Sequence, residues 1–159
     1  MDISKEVSME TVNDLLDKLV LKQLHLMENK MACEMNIEKS LNNGYIHLAK
    51  SRYIMGQNSV SKERLPTDNT PEFSALTSCE TIEEDNLKQL KVIINDTSSV
   101  NPIHWFGVLV PQNLHKAKGI FQNAVNFVVE CVNIQINLIE TLKNIDILKQ
   151  YKTNLGKCT

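Results

Sequence analysis

Apolar residues recur at three- and four-residue steps in two long stretches of the chain, which is the spacing that places side chains on one face of an α-helix. The first stretch runs from about Thr11 to Met55. Gly56 follows it at once and suits the left-handed conformation that ends a helix. The second stretch begins at Pro111, whose fixed φ suits a first helical position. The pattern therefore predicts two long helices.

The chain between these helices has a different character, because runs of Ser, Thr, Asn, Asp and Glu replace the periodicity. We therefore divide the chain into a first coiled-coil helix over residues 1–56, a mostly disordered polar connector over 57–102, and a Trp-Phe-Gly motif with the second helix over 103–155. Leu87 to Ile94 could form a short strand. Phe106 to Val110 has strand-like composition as well, so a two-stranded contact at the base of the helix pair is an alternative.

The predicted contact seam of the first helix follows alternating four- and three-residue steps and accepts Glu34, Glu38 and Arg52 as polar members. Apolar residues between positions 12 and 19 are helical in spacing but out of phase with it, so the apolar face should drift near the start. Gly44 inside the helix indicates close approach of the partner helix, with a ligand site as the alternative. The apolar members of the seam are Val20, Leu24, Met27, Met31, Leu41, Tyr45, Leu48 and Met55.

The second helix has a wider apolar face, because hydrophobic residues line both flanks of its seam. A two-helix coiled coil buries only a narrow stripe, so a wide face predicts a further partner. Only Glu130 is charged between Gly119 and Ile139, yet amides on the opposite face argue against a membrane span. The seam consists of Leu114, Ala117, Phe121, Ala124, Val128, Cys131, Gln135, Leu138, Leu142 and Ile145, flanked by Ile120, Phe127 and Ile134 on one side and Val125, Val132 and Ile139 on the other.

These patterns predict an all-α fold in which two long helices form an antiparallel coiled-coil hairpin. Composition agrees, because 5 Gly and 4 Pro supply few tight turns for a many-stranded fold, and an aromatic content of 5% favours an aliphatic core. Two antiparallel helices of similar length can cover each other along their full extent.

Charge and chemistry narrow the function. A net charge of -2 offers no clustered basic surface for nucleic acid. Residues 1–6 lack the layout of a signal peptide, which predicts a chain on the cytosolic side of membranes. The four cysteines, Cys158 among them, and the four histidines stand singly, and no catalytic or phosphate-binding motif is present. We therefore expect no metal, no cofactor and no enzymatic activity.

Two separated motifs resemble one protein family. The first is Gly44-Tyr45-Ile46-His47-Leu48-Ala49-Lys50-Ser51-Arg52-Tyr53-Ile54-Met55-Gly56, followed by Ser59-Val60, and the second is Trp105-Phe106-Gly107-Val108-Leu109-Val110-Pro111 with Leu114, Ala117, Phe121 and Gln135 after it. They resemble the end of the first helix and the start of the second in the animal coiled-coil domain-containing protein 115 family. Those proteins are counterparts of the fungal peripheral factor needed to assemble the vacuolar H+-ATPase.

The resemblance implies an assembly factor for the membrane sector of the proton pump that is absent from the finished enzyme and needed for organelle acidification. It implies a membrane-anchored assembly partner and transient contact with membrane-sector subunits of the pump. The implied location is the cytosolic face of the endoplasmic reticulum, with the ER-Golgi intermediate compartment and transport vesicles as further sites. The connector matches the family poorly, so no function is carried over to residues 57–100.

The residues expected to bind the partner or to set the register of the helix pair come from both motifs and from the wide helix face. Trp105 is expected either inside the base of the hairpin or presented to a partner. The full set is Tyr45, Leu48, Arg52, Tyr53, Trp105, Phe106, Gly107, Pro111, Leu114, Phe121, Phe127, Ile134 and Gln135.

Two other functions stay open at this point. A structural coiled-coil subunit of a tethering or cytoskeletal complex would use the same wide face for a permanent partner. An enzyme is the weakest alternative, because it would have to act through isolated residues such as His104 or Cys131, and burial on the seam would make that thiol inert.

Overall fold

The structure, a computed structural model, describes residues 9–84, 87–95 and 100–156. The predicted absence of a signal peptide rests on residues 1–6, which lie outside this range, as does Cys158. The elements in chain order are helix α1 (Met9–Met55), a short 3-10 helix (Lys62–Arg64), strands β1 (Thr77–Glu84) and β2 (Leu87–Ile94), a second 3-10 helix (Pro102–Phe106) and helix α2 (Gln112–Leu155).

The two helices end close to the positions that the sequence predicts. Helix α1 begins two residues before Thr11 and ends at Met55, where Gly56 adopts a φ of 88°. This left-handed conformation strains most residues but not glycine, so the chain turns here without cost. Pro111 immediately precedes α2, and its carbonyl accepts a hydrogen bond from the Leu114 N–H. The predictions for both helix boundaries are accurate to within two residues.

The prediction of an all-α fold is wrong, because the connector contains a two-stranded antiparallel sheet formed by β1 and β2. Leu87–Ile94 is a strand, but its partner is Thr77–Glu84 and not Phe106 to Val110. Phe106 instead ends the 3-10 helix, and residues 107–110 form no strand. The connector is therefore not largely structureless over its described residues.

Charge pairing across the two strands explains why the sequence of β1 alone does not predict a strand. Its sequence is acidic and polar, which is typical of a loop. In the sheet, however, Glu80 lies opposite Lys91 and Glu83 lies opposite Lys88, and opposite charges in facing positions stabilise a strand pair. The pairing depends on both strands together, so neither strand shows it alone.

The chain forms two compact units. Unit 1 contains residues up to Ala32 together with residues from Asn133 onward, and unit 2 contains residues 33–132. In unit 2 the Cys33 thiol reaches the Phe127 carbonyl, and further along α1 His47 reaches Asn113. Residue numbers rise along α1 as they fall along α2, so the helix segments of unit 2 are antiparallel.

The predicted seam of α1 is wrong, because the buried face of the helix is a different one. Val12, one of the residues predicted to be out of phase, is 1% exposed, whereas Val20 on the predicted seam is 40% exposed. The buried face continues through small residues, including Cys33, Gly44 and Ser51. Small side chains let two helices approach closely, and that advantage outweighs the burial of larger side chains on the neighbouring face. The residues of the predicted seam left exposed are Val20, Leu24, Met27, Met31 and Tyr45.

The seam of α2 is correctly predicted at its start and only in part further along. Leu114, Ala117 and Ala124 are buried as expected. In unit 1, Ile145 is buried as expected, but Thr141 is buried in place of Leu142, and Leu142 and Gln135 are exposed. Thr141 can occupy this position because its hydroxyl donates to the Asn137 carbonyl within the same helix, at 2.8 Å. Val128 is also exposed.

Neither long helix of the described residues is a candidate membrane span. No helix there combines the length and the hydropathy needed to cross a bilayer.

The rotated face of α1 can be tested with Val12→Ala and Val20→Ala. Both changes remove the same two methyl groups and raise helix propensity equally. The difference between the two changes in unfolding free energy therefore reports the difference in burial. We expect Val12→Ala to lower the free energy of unfolding by about 2 kcal/mol, from about 0.8 kcal/mol per buried carbon and the cavity left behind. Val20→Ala should change it little. Urea denaturation followed by circular dichroism gives both values, and an equal loss in the two variants would contradict the observed face.

Candidate functional site

The contact between the helices of unit 2 is closest at Gly44. A Cβ atom placed there would lie 2.6 Å from Cε1 and 2.7 Å from Cζ of Phe121 on α2. No carbon atoms pack that closely, so the glycine makes room for the aromatic ring. The prediction of a close helix approach at Gly44 is confirmed, and the alternative of a ligand site there is not needed.

Polar and aromatic contacts surround this point. The ring of Tyr45 packs edge-on against Phe121, with ring centroids 5.6 Å apart, although much of Tyr45 is exposed. One turn further, His47 Nδ1 lies 3.0 Å from Asn113 Oδ1. A carboxamide oxygen only accepts hydrogen bonds, so the ring nitrogen donates. Ser51 is fully buried, and its hydroxyl donates to the His47 carbonyl at 2.9 Å. The contacts of Tyr45 and His47 join α1 to α2 in unit 2, whereas the Ser51 hydrogen bond lies within α1.

The Trp-Phe-Gly motif forms the 3-10 helix ahead of α2. Asn101 caps this helix by accepting a hydrogen bond from the Ile103 N–H, and the Ile103 side chain is buried. Gly107 ends the helix at a φ of 127°, a conformation that L-residues rarely adopt. Trp105 is half-buried and packs edge-on against Phe73 of the connector, with ring centroids 5.2 Å apart. Trp105 therefore contacts the connector.

An apolar groove of about 470 Å³ lies between the connector and the helices of unit 2. Volume and composition match sites that bind small apolar groups or side chains of a partner. Lys118 is the charged residue among those that line the groove, and its ammonium group donates a hydrogen bond to Asn101 Oδ1 at 3.1 Å. The groove is lined by Leu48, Phe73, Ala75, Leu76, Thr77, Val100, Pro102, Ile103, Trp105, Phe106, Leu114, Ala117, Lys118, Phe121, Gln122 and Val125.

The structure brings together some of the predicted site residues and separates others. Those that line the groove are Leu48, Trp105, Phe106, Leu114 and Phe121, whereas Tyr45, Arg52 and Tyr53 border a shallow depression at the end of α1. Gly107 is exposed, and Pro111 and Phe127 are half-buried. Ile134 is half-buried and Gln135 exposed in unit 1, so neither belongs to the groove.

Phe73 is the groove residue that the sequence reading missed. It lies in a polar connector between Pro71 and a strand, and no periodicity marks it. The available signal is compositional, because a lone aromatic residue among polar ones has to be covered by something. Trp105 packs against it in the folded chain, although Phe73 stays 46% exposed.

Cys33 is buried at the opposite end of unit 2. Burial raises the pKa of its thiol, and the neighbouring Glu130 and Cys131 raise the pKa further. The thiol donates to the Phe127 carbonyl at 3.1 Å. A raised pKa keeps the sulfur protonated and unreactive, so Cys33 has a packing role.

Among residues 9–84, 87–95 and 100–156, no cluster of three His, Cys, Asp or Glu side chains could hold a metal ion.

No protein-family model matches this chain. The vacuolar ATPase assembly protein VMA22 of Danio rerio is 25% identical over 181 aligned residues, which cover 84% of this chain and 86% of that protein. The protein of the same name from Homo sapiens is 23% identical over 149 residues, covering 76% and 81% of the two chains.

The Mus musculus protein of that name is 20% identical over 161 residues, covering 83% of this chain and 88% of its own. The matches extend over most of each chain and are not limited to the two motifs. They confirm the resemblance that the motifs indicated. The relatives carry the name of an assembly protein and not of an enzyme.

The close contact at Gly44 can be tested against a second helical glycine. Gly44→Ala forces the Phe121 ring to move, which we expect to cost about 1–3 kcal/mol. Gly119→Ala meets no atom within 4 Å and should stabilise α2 by up to about 1 kcal/mol through helix propensity. Thermal denaturation should therefore shift in opposite directions. Recovery of Gly44→Ala by Phe121→Leu would tie the loss to this contact, and equal shifts for the two glycines would contradict it.

Thiol labelling tests the environment of Cys33. Cys79 is exposed on β1, so iodoacetamide at pH 8 should modify Cys79 first and Cys33 only after unfolding. Because the folded chain holds the Cys33 proton more tightly than the unfolded chain does, this thiol contributes stability that is lost as the pH rises above the ordinary thiol pKa. Mass spectrometry of digested peptides gives the labelling rates of Cys79 and Cys33, with urea-unfolded protein as the control. Equal rates in the folded chain would show that Cys33 is accessible.

Proposed function

We propose that this chain, like the vacuolar ATPase assembly proteins it resembles, is a dedicated assembly factor of the vacuolar H+-ATPase. It acts on the membrane sector of the pump at the endoplasmic reticulum and is absent from the finished enzyme. The observation that carries this proposal is the similarity to VMA22 proteins over more than three quarters of the chain. An assembly factor works by binding, and no catalytic activity is part of the proposal.

The partner is proposed to be a membrane-anchored assembly protein, with transient contact to membrane-sector subunits. The surface that suits such a partner is an exposed apolar stripe on α1 in unit 1, formed by Val20, Leu24, Met27 and Met31. These residues follow four- and three-residue steps, which is the pattern that packs into the groove of another helix. Methionine adapts to different partners because its side chain is unbranched and flexible.

The cellular experiment is removal of the protein followed by measurement of vacuolar or lysosomal pH. We expect the pH to rise, because the membrane sector would not be assembled, while the intact protein should co-purify with a membrane-anchored assembly partner and not with the finished pump. Normal acidification after complete removal would overturn the proposal. Stoichiometric recovery with a stable complex other than the pump would instead support a structural coiled-coil subunit.

The exposed stripe gives a sharper test of partner binding. Leu24→Asp with Met27→Asp places two charges on the stripe, and burying them against a partner without compensation would cost several kcal/mol. Because both side chains are exposed in the chain alone, its circular dichroism melt should stay close to that of the wild type. The matched control is His25→Asp, an exposed position between them on another face of α1.

We expect affinity purification from cells to recover the assembly partner with His25→Asp and not with the double variant. Full recovery with the folded double variant would show that the partner binds elsewhere. It would leave the assembly role itself to be decided by the acidification experiment.

A further inference from the structure

One end of unit 2 exposes apolar side chains almost completely. Val108 and Leu109 are 97% and 93% exposed, and Tyr53 in the last turn of α1 is 92% exposed. The contact between His47 and Asn113 places the last turns of α1 beside the segment that leads into α2. At a rise of 1.5 Å per residue, Tyr53 lies only about 9 Å further along the axis than His47. The three side chains therefore share this end, which we name the apolar tip.

The same end of unit 2 is cationic. The sequence contains no Asp or Glu between Lys39 and Lys62, nor between Val100 and Val129, although the whole chain carries a net charge of -2. The exposed basic side chains in the helix turns at this end are Lys50 and Arg52 of α1 and Lys116 of α2. The carboxylates that follow the first of these segments are Glu63, Asp68 and Glu72, and they belong to the connector and not to the two helix ends. Positive charge and exposed apolar groups thus coincide on one end of the unit.

We propose that the apolar tip docks on the surface of a membrane that contains anionic lipids. Aliphatic side chains at a loop apex can enter the boundary between headgroups and acyl chains, and tyrosine is favoured at that depth because its ring is apolar and its hydroxyl is polar. Lysine and arginine beside them are attracted to the negative headgroups. Neither feature is needed for folding, since these side chains are exposed.

Charge complementarity favours a lipid surface over a protein partner. A protein interface usually buries its apolar anchors in a shaped pocket, with charges distributed on both sides. Here the apolar groups are few and lie at an apex, and the two segments that form this end carry charges of one sign only. Few apolar contacts combined with many cations are the properties of a reversible membrane contact, in which two weak signals act together.

The proposal does not rest on the assembly role, and it is tested with the purified full-length chain and protein-free vesicles. Sedimentation should recover the chain with vesicles of phosphatidylcholine containing phosphatidylserine and not with phosphatidylcholine alone. Binding should weaken when the salt concentration is raised, because salt screens the attraction. Equal recovery with both types of vesicle, or binding that is insensitive to salt, would overturn the proposal.

Variants separate the contribution of the basic residues to vesicle binding from that of the apolar residues. Lys50→Glu with Arg52→Glu should weaken vesicle binding by about tenfold or more, given the attraction per basic residue near an anionic surface. Val108→Asp with Leu109→Asp should also abolish most of the binding, whereas Ile147→Asp in unit 1 is an exposed apolar control that should leave it unchanged. All of these positions are exposed, and a circular dichroism melt verifies folding.

Unchanged vesicle binding by the folded Val108→Asp, Leu109→Asp variant would overturn the proposal. If that variant instead lost the assembly partner from detergent extracts while still binding vesicles, the apolar tip would be a protein contact. Loss of vesicle binding with normal partner recovery would support the lipid surface. Failure of the vesicle experiments would leave the acidification experiment, and with it the assembly role, unaffected.

Discussion

The close contact between Gly44 and Phe121 sets the spacing of the helices in unit 2. The ring occupies the space that any larger residue at position 44 would need, and it carries Tyr45 against its edge. With this spacing, Ser51 is fully buried and His47 can reach Asn113. The buried face of α1 is therefore small and partly polar, and its hydroxyl groups are satisfied within their own helix. Larger apolar residues of α1 are left on the outside.

That choice of face has a functional consequence. A helix that buried its leucines and methionines would have no apolar surface for a partner to bind. Helix α1 instead keeps Val20, Leu24 and Met27 exposed in unit 1. Exposed apolar side chains in a regular helical pattern are costly unless they are covered in a complex. The proposed assembly role therefore agrees with the energetics of the helix, because an assembly factor gains from an apolar surface that only its clients cover.

The connector shapes the apolar groove of unit 2. Phe73 packs on Trp105, and the segment that follows, from Ala75 to Thr77, lines one side of the apolar groove. The groove would be absent if the connector were structureless, because four of its lining residues, Phe73, Ala75, Leu76 and Thr77, precede or begin β1. Charge pairs such as Glu80 with Lys91 hold the sheet in register. The connector thus lines one side of a groove whose other walls come from α1, α2 and the 3-10 helix ahead of α2.

The sequence by itself determined the two helices and their ends, because helical periodicity, Gly56 and Pro111 are local signals. It also determined the family resemblance, which the matches to VMA22 proteins confirm. Only the tertiary structure decided which face of α1 is buried, since close packing around Gly44 competes with the burial of larger residues such as Met31. It also decided the β1 to β2 pairing and the position of Phe73, because both depend on partners distant in the chain. Periodicity reports where apolar residues lie along a helix, whereas the fit between two surfaces decides which of them is covered.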